Sequence, residues 1–263
     1  NTDWTGVLAG INTVIHLAGR VHVMKDKAVD PLAAFRTVNV AGTERLARTA
    51  ADTGVSRFIF ISSIKVNGEG SPSPFKENDI PHPQDPYGIS KWEAEQILKN
   101  ISSETGMETV IIRPPLIYGP EVRANFLRLL RLVERGIPLP FARIDNRRSL
   151  MYFGNLVDAI AACVSHPRAA NQTFLVSDAD DVSTADLVRR IANAMNKPAR
   201  LFSLPPAILS FMATVTGKKD FYNRLCGSLT VDAGAISNAL GWKPPFSLQE
   251  GIAHTVDWYL RNK

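Results

Sequence analysis

Tyr87 and Lys91 stand four residues apart in the segment Tyr87-Gly88-Ile89-Ser90-Lys91, directly after Pro86. At the start of a helix that spacing places both side chains on one face. An ammonium beside a phenol favours the phenolate and lowers a pKa that is otherwise about 10. Tyr87 could then give and take a proton at neutral pH. Taken alone, such a pair is commonly a solvated surface pair. Ser62 and Ser63 change that weighting, because they end the apolar run Arg57-Phe58-Ile59-Phe60-Ile61. The carboxyl end of a buried strand is the rim where open α/β sheets hold their ligands. A hydroxyl there can bond a substrate oxygen that Tyr87 also reaches, and the three elements together point to an active site.

Those residues need elements to hold them, and the pattern supplies an alternation of strands and helices. Thr13 to Gly19 reads as a short apolar strand, and a helix is predicted from about Pro31 to Thr53, stopped by Gly54. Ser63 closes the next strand, a run apolar enough to be buried on both faces of a parallel sheet. A loop from Asn67 to Asp85 leads to a helix starting near Pro86, and Thr109 to Arg113 is a third strand. Further helices are expected around Phe126 to Val133, Asn155 to His166 and Leu248 to Leu260, with a strand at Thr173 to Val176 and a helix begun by Pro205 and Pro206. Strand–helix alternation of this kind argues for βαβ units and a parallel sheet.

Composition narrows the function classes. With 263 residues, 45% of them hydrophobic, the chain can build one large domain or two interleaved ones. No stretch approaches the roughly 18 uninterrupted apolar residues of a membrane span, and the run Leu204 to Val215 is broken by Pro205, Pro206 and Ser210. Residues 1–12 lack the pattern of a signal peptide. Cys163 and Cys226 are the only cysteines, so no disulfide framework is expected and a cytoplasmic location fits. Thirty basic against 25 acidic residues give a formal charge of +5 without a long basic run. That excess suits an anionic small substrate better than nucleic acid. His16 lies inside an apolar strand and reads as a hydrogen-bonded core histidine; His22, His82, His166 and His254 have no metal-ligand spacing, so no metal is expected.

With these motifs the sequence resembles the extended short-chain dehydrogenase/reductase family, the NAD-dependent epimerases and dehydratases, in its nucleotide-sugar branch. The resemblance covers nearly the whole chain. It implies a Rossmann-like doubly wound parallel sheet lacking its first strands, with an interleaved, smaller, mainly helical substrate-binding domain. Residues 1–120 and 149–178 would form the dinucleotide-binding part, and 121–148 with 179–263 the substrate part. Val14 to Gly19 resembles the strand where the backbone runs beside the dinucleotide, which puts Leu17, Ala18 and Gly19 at the cofactor. Asn39-Val40-Ala41-Gly42-Thr43 resembles a helix motif with Asn39 in a structural and cofactor-linked role. Ser62 to Gly68 resembles the active-site strand, with Ser63 as the catalytic hydroxyl and Ile61 and Ser62 beside the cofactor. Tyr87 and Lys91 match the catalytic tyrosine and the lysine that also holds the nicotinamide ribose. Arg113 to Pro120 resembles the segment at the carboxamide and brings in Pro114. Asn125 and Arg148 correspond to residues that hold the sugar nucleotide, Arg148 at its diphosphate, a role that suits a planar guanidinium. Arg143 and Arg147 flank it and are as readily a solvated basic loop. The expected cofactor is NAD or NADP, the expected substrate a UDP-sugar, and a homodimer through the two helices near Pro31–Thr53 and Pro86–Asn100 is permitted.

Three reactions share this scaffold. Dehydration needs acid–base carboxyls directly after the catalytic hydroxyl, where this chain has Ile64 and Lys65, so it is disfavoured. Epimerisation and 4-keto reduction both pass a hydride at C4 and use the same residue types. Arg20-Val21-His22-Val23-Met24 and Ser63 to Glu69 most resemble bacterial UDP-N-acetylquinovosamine dehydrogenases, and Asn67 replaces a tyrosine common in epimerases. These features favour reduction of a UDP-4-keto-6-deoxy-N-acetylhexosamine, with a UDP-glucose 4-epimerase type as the alternative and an inactive cofactor-sensing relative as a third reading.

The family opens on a strand, a Gly-rich turn and a helix whose N-terminus cradles the pyrophosphate; this sequence has no such glycine cluster. About fifty to sixty residues of βαβα are therefore expected to be missing ahead of Val14, leaving an apolar strand at the sheet edge. Dinucleotide binding should then be weak. Calorimetric titration of the 263-residue chain with NADH is expected to show no micromolar binding; micromolar affinity would overturn this expectation.

Overall fold

Apolar side chains at odd and even positions of a strand demand cover on both faces, and the residues around 57–61 receive it. The structure, a computed structural model, describes residues 2–21, 28–215, 217, 222 and 225–262. Residues 22–24 of the Arg20-to-Met24 comparison, His22 included, lie outside them. Six strands are present among the described residues: β1 Thr13–His16, β2 Arg57–Ile61, β3 Glu108–Arg113, β4 Leu116–Tyr118, β5 Leu150–Tyr152 and β6 Thr173–Leu175. The helices are α1 Thr5–Leu8, α2 Pro31–Phe35, α3 Gly42–Asp52, α4 Pro86–Thr105, α5 Ala124–Glu134, α6 Phe153–Ser165, α7 Thr184–Ala194, α8 Pro206–Val215, α9 Gly234–Leu240 and α10 Leu248–Arg261.

The main sheet is parallel throughout, in the order β1-β2-β3-β6. Phe58 and Phe60 of β2 face α3 and α4, packing with Leu46, Ala50, Leu98 and Ile101. Ile59 faces the other way and joins Val110, Ile112, Leu156, Ile160 and Ile236, the last three from α6 and α9. This two-residue alternation makes a three-layer α/β sandwich. β1 pairs with β2 alone, in the register Thr13 with Arg57 through His16 with Phe60, and forms one edge of the sheet with Ile15 and Leu17 exposed. At the opposite end of β2, Arg57 is buried and donates to the last carbonyls of α6, at 2.7 Å to Cys163 and 2.9 Å to Val164, while Glu108 takes its Nε at 2.8 Å. A cation closing a helix C-terminus in this way is favourable on dipole grounds.

The expected elements form, with three differences. Residues 5–8 make a short helix in a stretch for which the pattern predicts no element. The helix expected from Pro31 to Thr53 contains a six-residue π-helical stretch, Arg36–Ala41. β4 and β5 were not expected; they pair in parallel as a second, two-stranded sheet. Three residues are too few for either to show a period.

That small sheet anchors a second core. Tyr118, Leu150 and Tyr152 pack with Phe126 and Leu130 of α5, Val188 and Ile191 of α7, and Ile252 and Val256 of α10. Asp178, just after β6, joins the two sheets. Its carboxylate accepts from Tyr118 Oη at 2.8 Å, Tyr152 N at 2.8 Å and Asn155 Nδ2 at 2.7 Å. Burial pushes the Asp178 carboxyl up, and these three bonds oppose the shift.

α10 can lie on this sheet because residue 251 is glycine: a Cβ there would come within 2.5 Å of Tyr118 Oη and 2.8 Å of Tyr152 Cγ. Alanine improves helix propensity by about 1 kcal/mol, but the contact is an overpacked core. Gly251→Ala is expected to destabilise the fold by a net of about 1–3 kcal/mol, read as a lowered urea midpoint; an unchanged or raised midpoint would refute this packing account.

Candidate active site

The first turn of α4 carries the phenol. Asp85 caps the helix, its Oδ1 accepting from Gly88 N at 2.7 Å, and Pro86 occupies the first helical position. A Cβ on Gly88 would lie 2.9 Å from the Lys65 carbonyl oxygen and 3.2 Å from Pro83 Cβ. The bare glycine therefore lets the helix approach the 3-10 turn Ile64–Val66 that follows Ser63. Ser63 caps that turn, its Oγ accepting from Lys65 N at 3.3 Å, and its side chain lies near enough to Tyr87 to lower the phenol's pKa. The Tyr87 ring packs against Phe35, centroids 6.1 Å apart. The expected pair of hydroxyls thus meets at the carboxyl end of β2.

Lys91 lies one turn further along α4, buried, with Nζ donating to the Ile61 carbonyl at 2.7 Å and standing 4.3 Å from the centre of the Phe60 ring. Here the electrostatic expectation fails. Burial pushes the Tyr87 phenol up to about 12, opposed by the Ser63 hydrogen bond and reinforced by the Asp85 charge. Lys91 is not among the groups acting on the phenol. Burial also brings Lys91 itself down to about 8, with Glu95 working against the shift. Desolvation therefore outweighs the ammonium–phenol attraction, and both groups are driven toward their neutral forms.

The turn after β1 closes over the same place. Asn39, on the π-helical stretch, accepts from Arg20 N at 2.7 Å and donates Nδ2 to Arg20 O and to Ser90 Oγ, both at 2.9 Å. Its amide clamps the backbone beyond Gly19 to α4. Such π-helical bulges often occur at functional sites. A Cβ at Gly19 would meet Asn39 Oδ1 at 3.1 Å and Lys91 Nζ at 3.6 Å. The glycine leaves a gap beside two polar groups at the strand rim, and Lys91 has ammonium hydrogens beyond the one used on Ile61. That donor set fits a polyhydroxyl group such as a cofactor ribose. Leu17 and Ala18 are exposed just before it. His16 is a core group, bonded to Thr43 Oγ1 at 3.0 Å and stacked on Phe60; burial, then the Lys91 charge, takes it down to about 4.

Two of the expected cofactor residues have their polar atoms committed within the chain. Ser62 Oγ donates to Glu95 at 2.5 Å, and the Pro114 carbonyl accepts from Ile64 N at 3.0 Å. Ser62 belongs to a network that sequence reasoning missed. Arg113 forks onto Glu95, Nε at 2.9 Å and Nη2 at 2.5 Å, and its Nη1 donates to Asn67 at 3.0 Å. Asn67 in turn donates to the Lys76 carbonyl at 2.9 Å. Glu95 is fully buried and Arg113 nearly so. The available signal was a glutamate four residues after Lys91, on the face that continues into Leu98 and Ile101.

The substrate-side residues are less closely joined. Arg148 is held by backbone bonds to Val182 and by Nη1 donating to the Gly227 carbonyl at 2.8 Å. Burial lowers its pKa, opposed by Glu69 and Cys226. Glu69 also takes Lys65 Nζ at 2.6 Å, and Lys65 pairs with Asp85, the cap of the Tyr87 helix. Charges therefore run from Arg148 back to the first turn of α4. Asn125 sits half-buried in the first turn of α5, and no hydrogen bond among the described residues joins it to this set. Arg143 and Arg147 are exposed.

Glu95→Ala strands the Arg113 guanidinium without its counter-ion. A loss of about 3–5 kcal/mol is expected in urea unfolding, and a loss below about 1 kcal/mol would show the network to be dispensable. For Lys91, the folded protein releases its proton near 8 and the unfolded chain near 10.5. Between those values the unfolded state holds more protons, so stability should rise with pH across the window. Lys91→Met should flatten that rise in urea midpoints measured from pH 7.5 to 10.5; an unchanged slope would contradict the shift.

Comparison with known proteins bears on this arrangement. Residues 1–177 match the NAD dependent epimerase/dehydratase family. The chain is 50% identical over 264 residues to a UDP-glucose 4-epimerase of Vibrio cholerae, covering 99% of this chain and 80% of the relative. It is 29% identical to the N-acetyl-alpha-D-glucosaminyl-diphospho-ditrans,octacis-undecaprenol 4-epimerase of Escherichia coli O157:H7, covering 95% and 78% respectively. Among solved structures, a Bacillus cereus UDP-glucuronic acid 4-epimerase in complex with NAD superposes with a TM-score of 0.81 at 22% identity, over all of this chain and 76% of the other, a likeness of fold. With the family match spanning more than half of its length and a 50% identical relative along nearly all of it, this chain belongs to the NAD dependent epimerase/dehydratase family.

Proposed function

We propose that the chain acts at C4 of a UDP-hexose as a 4-epimerase, using Tyr87, Ser63 and Lys91. The observation that carries this reading is the placement of the Ser63 hydroxyl close enough to the Tyr87 phenol to act on its pKa, at the carboxyl rim of the sheet, with Lys91 one turn along the same helix. The 50% identity to the Vibrio UDP-glucose 4-epimerase favours epimerisation over the 4-keto reduction expected from the sequence. Asn67 had pointed toward reduction, but it is buried between Arg113 and the Lys76 carbonyl. Asn67 therefore has a structural role of its own beside any bearing on the reaction.

An NAD(P) cofactor bound beside Gly19 supplies the hydride acceptor and donor for C4. Leu17, Ala18, Gly19 and Asn39 would hold it along the strand rim, the free hydrogens of Lys91 would suit its ribose, and Ile61, Ser62 and Pro114 would contribute backbone to the wall. Tyr87 Oη takes the proton of the sugar 4-hydroxyl and returns it, while Ser63 Oγ bonds the same oxygen. A phenol pushed up to about 12 holds its proton at neutral pH, the form that donates to a 4-keto oxygen. To take the proton of an alcohol the phenol must first give up its own, which positive charge at the site favours. Arg148, lowered by burial but still a planar donor, suits the substrate diphosphate. Asn125 would meet the sugar nucleotide from α5.

Incubation of the full chain with UDP-glucose and millimolar NAD+, a concentration that offsets weak cofactor binding, should yield UDP-galactose by proton NMR without net NADH. Stoichiometric NADH consumption on a UDP-4-keto sugar, with no epimer formed, would favour the reductase instead. Tyr87→Phe is expected to lower kcat by about 100-fold or more with unchanged circular dichroism, and near-normal turnover would remove Tyr87 from the chemistry.

A further inference from the structure

Helix α8 does not follow the burial rules of the rest of the fold. Its ten residues, Pro206–Val215, include no charged side chain, yet none of its described side chains is buried. Ile208, Phe211 and Val215 are 46%, 70% and 69% exposed. Spacings of three and four residues align them on one face, and Phe202, just upstream, is 45% exposed. An apolar helix stripe left in water calls for a cover.

The surroundings select that cover by charge. Residues 200–202 pair with 139–142: Phe202 N donates to Leu139 O at 3.0 Å and Ala142 N to Phe202 O at 3.2 Å. Segments 135–148 and 197–215 together hold Arg135, Arg143, Arg147, Arg148, Lys197 and Arg200 against Asp145 alone. Six minus one is five, equal to the net charge of the whole chain. These two segments, joined where 139–142 meet 200–202 just ahead of α8, thus carry a basic excess, and five of these six cations are exposed, Arg148 excepted. A second copy of the chain would cover the stripe but oppose two positive rims. A polyanion without apolar substance would satisfy the rim and leave the stripe in water.

We propose that α8 and its basic rim dock the protein on an anionic phospholipid surface. Ile208, Phe211 and Val215 enter the headgroup–acyl boundary, and the Arg and Lys side chains meet the headgroup phosphates. The surface is separate from the Ser63–Tyr87 pair and stands whichever sugar that site takes.

Co-sedimentation of the full chain with phosphatidylglycerol–phosphatidylcholine vesicles, and with phosphatidylcholine alone, tests this. Binding to the anionic vesicles is expected, with affinity falling about tenfold or more in low salt for Phe211→Ser/Val215→Ser and for Lys197→Ser/Arg200→Ser. Circular dichroism of both variants should match the parent. Absence of binding to anionic vesicles, equal binding to neutral ones, or binding indifferent to the Phe211→Ser/Val215→Ser change would each overturn the proposal. A dimer in sedimentation velocity that this variant dissociates, without vesicle binding, would assign the stripe to a second copy instead.

Discussion

Glu95 and Arg113 form an ion pair with almost no solvent contact, and the geometry of the candidate site depends on it. Taking both charges out of water costs several kcal/mol per ion, and only near-complete hydrogen bonding offsets that. The chain supplies it from three directions: Ser62 from the end of β2, Arg113 from the end of β3, and Asn67 from the loop beyond Ser63. Because Glu95 rides on α4, satisfying its carboxylate fixes that helix against the carboxyl rim of the sheet. Tyr87 and Lys91 are on the same helix, so their position relative to Ser63 follows from a bond pattern in which they take no part.

Burial at the same rim shifts the charge states. Burial raises the Tyr87 phenol and lowers the Lys91 amine, so each group leans toward neutrality. Glu95 is the counterweight, since its negative charge one turn beyond Lys91 favours the ammonium. One carboxylate therefore serves both as the keystone of the packing and as the charge that keeps Lys91 from falling further. Against the phenol the chain sets only the Ser63 hydrogen bond, and Asp85 works in the opposite direction.

Much of this was legible in the residues, because the governing interactions were local. Asp85 followed by Pro86 marks a helix start, and 57–61 is apolar at every position but the first, so β2, α4 and the meeting of Ser63 with Tyr87 could be anticipated. Non-local pairings were hidden. Glu95 reaches partners 18 and 33 positions away, and nothing in a helical glutamate announces them. β4 and β5 are three residues each and meet only because the chain returns after 30 or so positions. The direction of the Tyr87 shift was misread because spacing reports which groups are near each other, whereas desolvation depends on what the whole fold places around them. Asn67 likewise has a partner that the sequence did not announce, accepting from the buried Arg113.

Lys65 connects these points to the choice of reaction. It occupies the second position after Ser63, where a dehydrating enzyme needs a carboxyl, and its ammonium is held between Glu69 and Asp85. An acid–base group must reach the substrate; the Lys65 ammonium is instead engaged by two carboxylates of its own chain. Those two partners have other tasks as well. Asp85 caps the helix that presents Tyr87, and Glu69 opposes the desolvation of Arg148. Lys65 thus works as a brace between the two ends of the proposed site, and the proton exchange proposed for the sugar 4-oxygen rests on Tyr87 and Ser63.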